Sequence, residues 1–465
     1  MKRTALFLVA ALASFTVFGQ DLAGSWYGAL KISGMELRIV FNITKTANGY
    51  ASTMDSPDQN AFGLPTATTT FAESKLTIQM KTPVLEFSGD LKDEVITGNL
   101  KQNGMTFPMV LSKKKIEKVV MLRPQEPKPP YPYYTEEVKF KNEAAGAVLA
   151  GTLSMPSKDG KFPVVIMITG SGPQNRNEEL MGHKPFLVIA DHLTRNGIAV
   201  LRYDDRGTAQ STGDFKTATS VDFASDVQSA IAYLKTRKEI DKKKIGLMGH
   251  SEGGLIAPMV ASKSKDVDFI VLLAGPGVPG YKILLMQQEL IARAGGASES
   301  DIQKTKTINQ AAFDVVLKTD DEKNLPAILT KFLEDKLAND PNPEIPSGMS
   351  AAEFIKTQVT QTTSPWMLYF LKYDPAVALT KVKCPVLAIN GSLDLQVPPK
   401  EDLEAIGNLL KKAKNKKVTI IEFPGLNHLF QECKTGSPSE YAQIEQTFSP
   451  KALETITKWI QSQVK

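Results

Sequence analysis

The sequence predicts an α/β fold in which helices flank a mostly parallel sheet, with a helical cap inserted in the sheet and a small all-β barrel or sandwich domain in front. Three observations predict it: an early period-two pattern, a proline-rich stretch, and then strands that alternate with helices. The predicted boundaries within the 465 residues are a leader at 1–19, a β-domain at 20–120, a linker at 121–136 and an α/β domain at 137–465, with the cap at about 276–383.

The composition is that of a globular protein. Hydrophobic residues make up 42% of the chain and charged residues 23%, which argues against a fully disordered or fibrous protein. The formal charge of +5 is too small and too dispersed for a nucleic-acid footprint, so we expect no nucleic-acid partner. Four histidines and two cysteines leave little material for a zinc or iron–sulfur site. We therefore expect chemistry without a metal or a cofactor.

The chain begins with the pattern of a secretory leader. Lys2 and Arg3 precede an apolar run, Ala5–Phe18, which ends at the small residue Gly19. This run is shorter than the ~20 residues that span a bilayer. We therefore expect cleavage after Gly19 and a secreted or periplasmic protein. No later segment has the length of a transmembrane helix, so we expect no membrane span.

The front domain is predicted from alternating hydrophobic residues. Leu37, Ile39, Phe41 and Ile43 alternate with a mostly polar set, as in a strand that is buried on one face. Further strand-like runs are Lys75–Met80, Leu85–Leu91, Val95–Leu100 and Met105–Leu111. Their regular spacing predicts an antiparallel barrel or sandwich. The prolines and tyrosines between Leu122 and Tyr134 then predict a stiff, extended linker.

Beyond the linker the pattern predicts a parallel sheet covered by helices. Predicted strands are Val148–Met155, Val164–Thr169, Ile198–Tyr203, Ile245–Met248, Phe269–Leu273, Val386–Asn390 and Val418–Glu422. Predicted helices between and after them are Leu187–Arg195, Asp222–Lys235, Gly253–Ser262, Glu401–Lys412 and Leu453–Gln463. The rhythm stops for a run of helices without strands, namely Lys282–Ala294, Asp301–Lys318, Leu325–Leu337 and Ala351–Lys372. This run predicts the cap.

The segment Gly249–Gly254 reads Gly-His-Ser-Glu-Gly-Gly and follows a short buried strand. A helix comes directly after it, which is the context of a nucleophile elbow, where a tight turn lifts a serine to the edge of a sheet. The flanking glycines leave room for the neighbouring strand and helix. The pattern predicts Ser251 as a nucleophile.

A serine nucleophile needs a base, and in a fold of this kind the chain order is serine, acid, histidine. His428 is the one histidine after Ser251, and it follows a predicted strand. Asp394 follows another strand and is predicted to orient the imidazole of His428. Asp374, before a proline at the end of the helical run, is the alternative acid.

The negative oxygen that forms during acyl transfer needs two backbone amides. One is predicted to be the amide of Glu252, directly after the nucleophile. The other comes from the loop after the strand Val164–Thr169, with Ser171 preferred and Gly172 as the alternative. Gly170, Gly172 and His250 are predicted to line the substrate site.

Together these residues resemble the α/β-hydrolase superfamily, in the branch of secreted bacterial serine esterases and serine-aminopeptidase-like hydrolases. The resemblance covers about Glu137–Lys465, and its motifs are Ile168–Pro173, Arg202–Gly207, Gly249–Gly254, Asn390–Pro398 and Asn427–His428. It implies an α/β-hydrolase fold and a triad of Ser251, Asp394 and His428. Thr169 departs from the pattern, because many relatives carry histidine there. The front domain is similar to extensions on some secreted Bacteroidetes hydrolases.

Three functions follow from these residues. The preferred one is a serine carboxylesterase that acts on a small ester through an acyl-enzyme. A serine aminopeptidase, or another peptidase with the same triad, is the alternative, because Glu178, Glu179 or Glu252 could bind the free ammonium group of a peptide. The third is a secreted binding protein with an inactive hydrolase domain.

The two cysteines are predicted to be free thiols. Cys384 and Cys433 belong to opposite ends of neighbouring strands, which are too far apart for a disulfide.

Overall fold

A computed structural model describes residues 22–465, except for residues 33–34, 60, 82–83, 103–104, 118–120, 341–342, 344 and 346–348. The predicted leader at 1–19 lies outside the described residues. The chain divides into two compact units, the first ending at Lys118 and the second beginning at Val119.

The first unit is one antiparallel sheet of nine strands in the order β4-β3-β2-β1-β9-β8-β7-β6-β5. Its strands are β1 (Gly24–Ile32), β2 (Met35–Thr46), β3 (Gly49–Ser56), β4 (Ala61–Pro65), β5 (Thr68–Ala72), β6 (Lys75–Lys81), β7 (Val84–Lys92), β8 (Val95–Gln102) and β9 (Met105–Ser112). Sequence analysis predicted strands at β2 and β6 to β9 and missed the other four. Ser52 hydrogen-bonds Thr66 and Thr69 across the sheet, so β3 lies near β5. The unit is therefore one curled sheet and not the two sheets of a sandwich.

The second unit is built on a sheet of eight strands in the order β10-β11-β13-β12-β14-β15-β16-β17. These strands are β10 (Tyr134–Asn142), β11 (Ala147–Met155), β12 (Phe162–Ile168), β13 (Ala199–Tyr203), β14 (Ile240–His250), β15 (Phe269–Leu273), β16 (Val386–Gly391) and β17 (Val418–Phe423). From β13 to β17 the neighbours are parallel, whereas β10 and β11 are antiparallel. The mostly parallel sheet is thus confirmed.

Helices cover both faces of this sheet. They are α1 (Pro185–Arg195), α2 (Ser220–Thr236), α3 (Glu252–Ala261), α4 (Gly280–Ala294), α5 (Glu299–Lys318), α6 (Leu325–Ala338), α7 (Ala351–Thr362), α8 (Pro365–Lys372), α9 (Ala376–Leu379), α10 (Pro399–Lys412) and α11 (Pro450–Gln463). Ile166 of β12 packs into a core shared with α2, α3 and α10, while its neighbours Val165 and Met167 pack into a second core with α1 and α11. Burial on both faces explains why the strands are continuous apolar runs.

Between β15 and β16 the chain forms α4 to α9, and we call α4 to α8 the helical segment (Gly280–Lys372). It has a core of its own around Phe313, Val316 and Leu329. The prediction of one helix over Ala351–Lys372 was wrong, because α7 ends at Thr362 and α8 begins at Pro365. Proline lacks the N–H that a continuous helix needs, and Ser364 caps the new helix instead.

The proline-rich stretch belongs to the second unit and packs against the rest of that unit. Arg123 donates hydrogen bonds to the carbonyl oxygens of Ala442 and Ile444. The side chain of Gln125 bonds both the amide and the carbonyl of Phe448. Strand β10 then begins at Tyr134, within the range predicted as linker. The segment is therefore anchored on one side and is not a free spacer.

Two smaller predictions concern membranes and cysteines. In the part of the chain that the structure describes, no helix combines the length and hydropathy needed to cross a bilayer. Cys384 and Cys433 are both free. This agrees with the predicted free thiols, which were expected because the opposite ends of neighbouring strands lie too far apart for a disulfide.

Candidate active site

Ser251 occupies a sharp turn between β14 and α3. Its backbone φ is 53° and ψ is −118°, a conformation that costs a non-glycine residue about 1–3 kcal/mol. The turn is held at both ends, because the Ser251 amide donates to the Leu273 carbonyl at 2.8 Å and the Gly254 amide donates to the Ser251 carbonyl at 2.8 Å. The turn thus holds Ser251 at the carboxyl edge of the sheet.

The glycines around Ser251 are required by close backbone packing. A Cβ on Gly249 would lie 1.9 Å from the carbonyl oxygen of Gly253. A Cβ on Gly253 would lie 2.2 Å from the carbonyl oxygen of Ile168, at the end of β12. No real side chain tolerates these distances, so the glycines allow the turn to pack between β12 and α3.

Asp394 and His428 meet at the same edge. Asp394 follows β16 and His428 follows β17, and the carboxylate Oδ2 lies 2.7 Å from the imidazole Nδ1. The other oxygen, Oδ1, accepts the backbone amides of Gln396 and Val397 at 2.7 and 2.9 Å. Both side chains are buried. The carboxylate is thereby fixed, and it orients Nε2 of the ring away from itself.

Asp374, the alternative acid, lies elsewhere. Its carboxylate accepts the amide of Ala376 at 2.9 Å, at the beginning of the short helix α9. It is exposed and does not line the cavity that contains Ser251. The geometry therefore favours Asp394 as the partner of His428.

A cavity of about 250 Å³ opens over Ser251. It is lined by residues from the sheet edge and from α4 and α8: Gly170, Ser171, Gln174, Glu178, Leu180, His250, Ser251, Glu252, Pro276, Ile283, Leu284, Gln287, Trp366, Phe370, Gln396, Val397 and His428. Six of the eight predicted site residues line it, Asp394 lies directly behind His428, and only Gly172 is set apart. Gly172 has a φ of +93° and serves the turn of its loop.

Two backbone amides are open at this cavity. Those of Ser171 and Glu252 have no hydrogen-bond acceptor within the described part of the chain. The amide of Gly170, by contrast, donates to Oε1 of Glu178 at 2.7 Å. The open pair matches the two amides that the sequence predicts for an oxyanion hole.

The loop that carries Ser171 is held by a buried acid that sequence analysis missed. Asp205 accepts the hydroxyl of Thr169 at 2.6 Å and the amide of Gln174 at 2.9 Å. Burial raises the pKa of Asp205 to about 8 despite these two bonds. Thr169, where many relatives carry histidine, thus has a structural partner here. The signal in the sequence was a pair of acidic residues, Asp204 and Asp205, after a buried strand.

His250 does not offer its ring nitrogens to a substrate. Its Nδ1 lies 3.0 Å from Oε1 of Glu178, and its Nε2 lies 2.9 Å from the backbone carbonyl oxygen of His428. Burial lowers the pKa of His250, but the charge and hydrogen bond of Glu178 outweigh it and raise the pKa overall. Sequence analysis predicted His250 as a substrate-lining residue and missed Glu178 as its partner, because 72 residues separate them.

Glu252 joins the nucleophile to two other elements through its side chain. The carboxylate accepts Ser220 Oγ of α2 at 2.6 Å and Trp366 Nε1 of α8 at 2.9 Å. It is 2% exposed, and burial raises its pKa. The acid next to the nucleophile is thus occupied by protein donors.

The described residues include no group of three or more His, Cys, Asp or Glu side chains placed to hold a metal ion. At the cavity, Asp394 and His428 bond each other, and Glu178 bonds His250. What the site offers is a serine, an acid–histidine pair and two open amides.

These parts, on this sheet, define an α/β-hydrolase with a serine at its nucleophile elbow, an α/β-fold serine hydrolase. The chain belongs to the family described as X-Pro dipeptidyl-peptidase (S15 family), whose sequence profile matches residues 145–420. The matched range runs from β11 into β17 and includes Ser251 and Asp394.

Two individual relatives share 27% and 32% of their aligned residues with this chain. The chain is similar to the esterase EstD of Thermotoga maritima, with 27% identity over 313 residues, which are 67% of this chain and 65% of EstD. It is similar to the thiohydrolase apmlB of Arthrinium phaeospermum, with 32% identity over 149 residues, or 31% of this chain and 44% of that protein. The chain therefore spans just under two thirds of the length of EstD and less than half of the thiohydrolase.

The solved structures to which the chain is similar include two esterases. Pf2001 of Pyrococcus furiosus matches with 16% identity and a TM-score of 0.43, over 74% of this chain and 99% of that one. Est1E from Butyrivibrio proteoclasticus, with ferulic acid bound, matches with 17% identity and a TM-score of 0.39, over 70% of this chain and 96% of that one.

Proposed function

We propose that the protein is a carboxylesterase that hydrolyses small esters through an acyl-enzyme. His428 takes the proton of Ser251, and the serine oxygen attacks the ester carbonyl. The protonated imidazole, stabilised by Asp394, then gives its proton to the leaving alcohol. Water repeats the two steps on the acyl-enzyme and releases the acid. The 2.7 Å contact between His428 and Asp394 supports these roles.

The amides of Ser171 and Glu252 are proposed to hold the negative oxygen of the tetrahedral intermediate. Both lack a protein acceptor within the described residues, and both belong to residues that line the cavity above Ser251. Removing one such donor in a serine hydrolase costs about 10²–10³ in kcat. Gly170 is excluded from this role because Glu178 already takes its N–H.

One observation carries the choice of ester over aminopeptidase. An enzyme that cleaves next to a free amino terminus needs a carboxylate to bind the ammonium group. Both carboxylates at the cavity already bond protein donors: Oε1 of Glu178 bonds His250 and the amide of Gly170, and Glu252 accepts Ser220 and Trp366. Glu179 is exposed and does not line the cavity. The cavity therefore suits a neutral substrate.

We further propose that the helical segment acts as a cap that sets the size of the acyl group. Ile283, Leu284 and Gln287 of α4 and Trp366 and Phe370 of α8 form the wall opposite the sheet edge. The volume of about 250 Å³ lies just below the ~300–1,000 Å³ of ordinary small-molecule sites. A short acyl chain fits such a space better than a fatty acyl chain.

Peptide hydrolysis is the second candidate function, because the similar proteins include both an esterase and a peptidase family. EstD is named an esterase, whereas the family takes its name from a dipeptidyl-peptidase. The same serine, histidine and amides would attack an amide carbonyl, so the distinction depends on substrate binding.

The experiment compares p-nitrophenyl esters of rising acyl length with the p-nitroanilides of alanine and of glycyl-proline. We expect turnover of the acetate and butyrate esters, a decline toward longer chains, and no anilide turnover above the Ser251→Ala background. Turnover of the glycyl-proline anilide with a kcat/KM equal to that of the esters would assign peptidase activity instead.

A further inference from the structure

We propose that Glu178 and His250 form a buried ion pair that positions the oxyanion loop and the catalytic base relative to Ser251. His250 would carry a proton on both ring nitrogens. This inference rests on the proposed hydrolase mechanism, in which Ser171, Ser251 and His428 must be held at fixed mutual distances. Neither residue of the pair touches the reacting atoms in this account, so both are positioning residues.

The contacts of His250 determine its protonation. A neutral imidazole has one N–H donor and one bare nitrogen. Both nitrogens of His250 face acceptors, a carboxylate oxygen of Glu178 at 3.0 Å and the carbonyl oxygen of His428 at 2.9 Å. A carbonyl cannot donate, so Nε2 must carry a proton. Oε1 of Glu178 also accepts the amide of Gly170 at 2.7 Å, and an oxygen placed between two nitrogens fits a carboxylate that accepts from both, so we infer a second proton on Nδ1.

The buried, apolar surroundings strengthen the hydrogen bond between Glu178 and His250. His250 is 6% exposed and Glu178 is 3% exposed, and the apolar side chains of Phe186, Leu273 and Leu429 lie beside them. The charge of Asp394 also acts on His250, and the centroid of the His428 ring lies 4.7 Å from that of His250. In such a water-poor site a charge-assisted hydrogen bond is stronger than one at the surface.

The pair connects three elements that carry the chemistry. Glu178 holds Gly170, the neighbour of Ser171, through its amide. His250 is the residue before Ser251, and it holds the backbone of His428 through its carbonyl. A displacement of about 1 Å between reacting groups can cost roughly 100-fold in rate. Loss of the pair should therefore lower kcat and leave KM nearly unchanged.

Glu178→Gln is an informative substitution because it preserves shape and removes charge. A single oxygen of Glu178 accepts both His250 and Gly170. If the amide oxygen of glutamine stays there, a neutral His250 has one N–H for two acceptors. If the amide group turns its NH2 toward His250, the N–H of Gly170 loses its acceptor. One of the three contacts breaks in either case.

The kinetic test compares Glu178→Gln with Glu179→Gln, its exposed neighbour, on p-nitrophenyl butyrate. We expect kcat of Glu178→Gln to fall between about 10-fold and 100-fold with little change in KM. Glu179→Gln should behave as wild type. Circular dichroism and a melting curve establish that both variants are folded. Wild-type kcat in folded Glu178→Gln would overturn the inference.

A second readout observes the protons on His250 directly. The chain has four histidines, so ¹⁵N-histidine labelling gives few signals, and His250→Gln identifies the one that matters. We expect both nitrogens of His250 to be protonated near pH ~7, above the ~6.5 of an unperturbed histidine, and one to lose its proton in Glu178→Gln. A neutral His250 in the wild type would overturn the ion pair, even if Glu178→Gln were slow.

These outcomes separate the inference from the proposed function. If Ser251→Ala is inactive and Glu178→Gln is fully active, the ester mechanism stands and the positioning pair does not. If Ser251→Ala retains full activity, the mechanism fails, whereas the protonation of His250 remains measurable by itself.

Discussion

The carboxyl edge of the sheet and the helical segment (Gly280–Lys372) face the same cavity but are built differently. At the sheet edge, Asp394 and His428 are buried and bond each other, and backbone amides fix the carboxylate. In the helical segment, Leu284, Gln287 and Trp366 are only partly buried, and of these Trp366 alone bonds a residue of the elbow, through Glu252.

We infer from this difference that the sheet edge and the helical segment have separate functions. Groups that must lie within a fraction of an ångström of a reacting atom are best placed on strand ends, where packing and backbone hydrogen bonds restrict them. A wall that only encloses an acyl chain needs shape and little orientation. Substitutions at the sheet edge should therefore lower kcat, whereas those in the helical segment should change KM and chain-length preference.

The largest effect is expected from Asp394→Asn. The new amide still accepts backbone N–H groups, but its NH2 faces Nδ1 of His428 and favours the wrong tautomer. A substitution of this kind lowers kcat by about 10⁴-fold in a serine protease, and we expect a loss of similar size in steady-state assays. Asp374→Asn, which changes the exposed alternative acid, is the matched control and should retain full activity. Equal losses in both variants would remove the distinction between the two aspartates.

An intermediate effect is expected from Leu284→Ala in α4. Shortening this cavity-lining side chain removes apolar contact with the acyl group in ground state and transition state alike. We expect KM for p-nitrophenyl butyrate to rise roughly tenfold with kcat nearly constant, and longer acyl chains to become better substrates. Leu290→Ala lies on the same helix away from the cavity and should change neither. A pure loss of kcat in Leu284→Ala would contradict the proposed division of tasks.

The smallest predicted effect is on thermal stability, at the junction between the sheet edge and the helical segment. Asp402 of α10 accepts the amides of Gly277 and Val278 at 2.6 and 3.2 Å, just before the helical segment begins. Burial raises the pKa of Asp402 to about 7, against ~3.9 in an unfolded chain. The folded state therefore binds the proton more tightly, and its stability falls as the pH rises from ~4 to ~7.

Asp402→Asn keeps the acceptor and cannot ionise. We expect its Tm to exceed that of the wild type at pH ~8, with the gain shrinking toward pH ~4 where wild-type Asp402 is protonated. Glu401→Gln, in the same helical turn but exposed, controls for the loss of a charge. A gain that is constant with pH would mean that ionisation of Asp402 is not its cause.

The sequence was most informative where the relevant signal is local. Gly249 to Gly254 predict a turn because the strand before it and the helix after it are both readable, and the structure has the strained turn at Ser251. His428 was selected by elimination and Asp394 by its position after a strand, and the structure places them in contact. Pro365 is a local signal for the break between α7 and α8, because proline cannot continue a helix.

What the sequence did not predict depends on long-range contacts. Glu178 and His250 meet across 72 residues, and Glu252 and Trp366 across 114. No periodicity reports such pairs, because packing of separate loops onto one sheet edge creates them. The same limit applies to Gly170, whose amide is occupied by Glu178 although the motif alone leaves it available.

The central claim, that Ser251 is a nucleophile activated by His428, is tested most directly by a fluorophosphonate and intact-protein mass spectrometry. We predict one adduct per wild-type chain, mapped by peptide analysis to Ser251, no adduct on folded Ser251→Ala, and much slower labelling of His428→Ala. Labelling of folded Ser251→Ala at the wild-type rate, or an adduct on another residue of the wild type, would contradict the account.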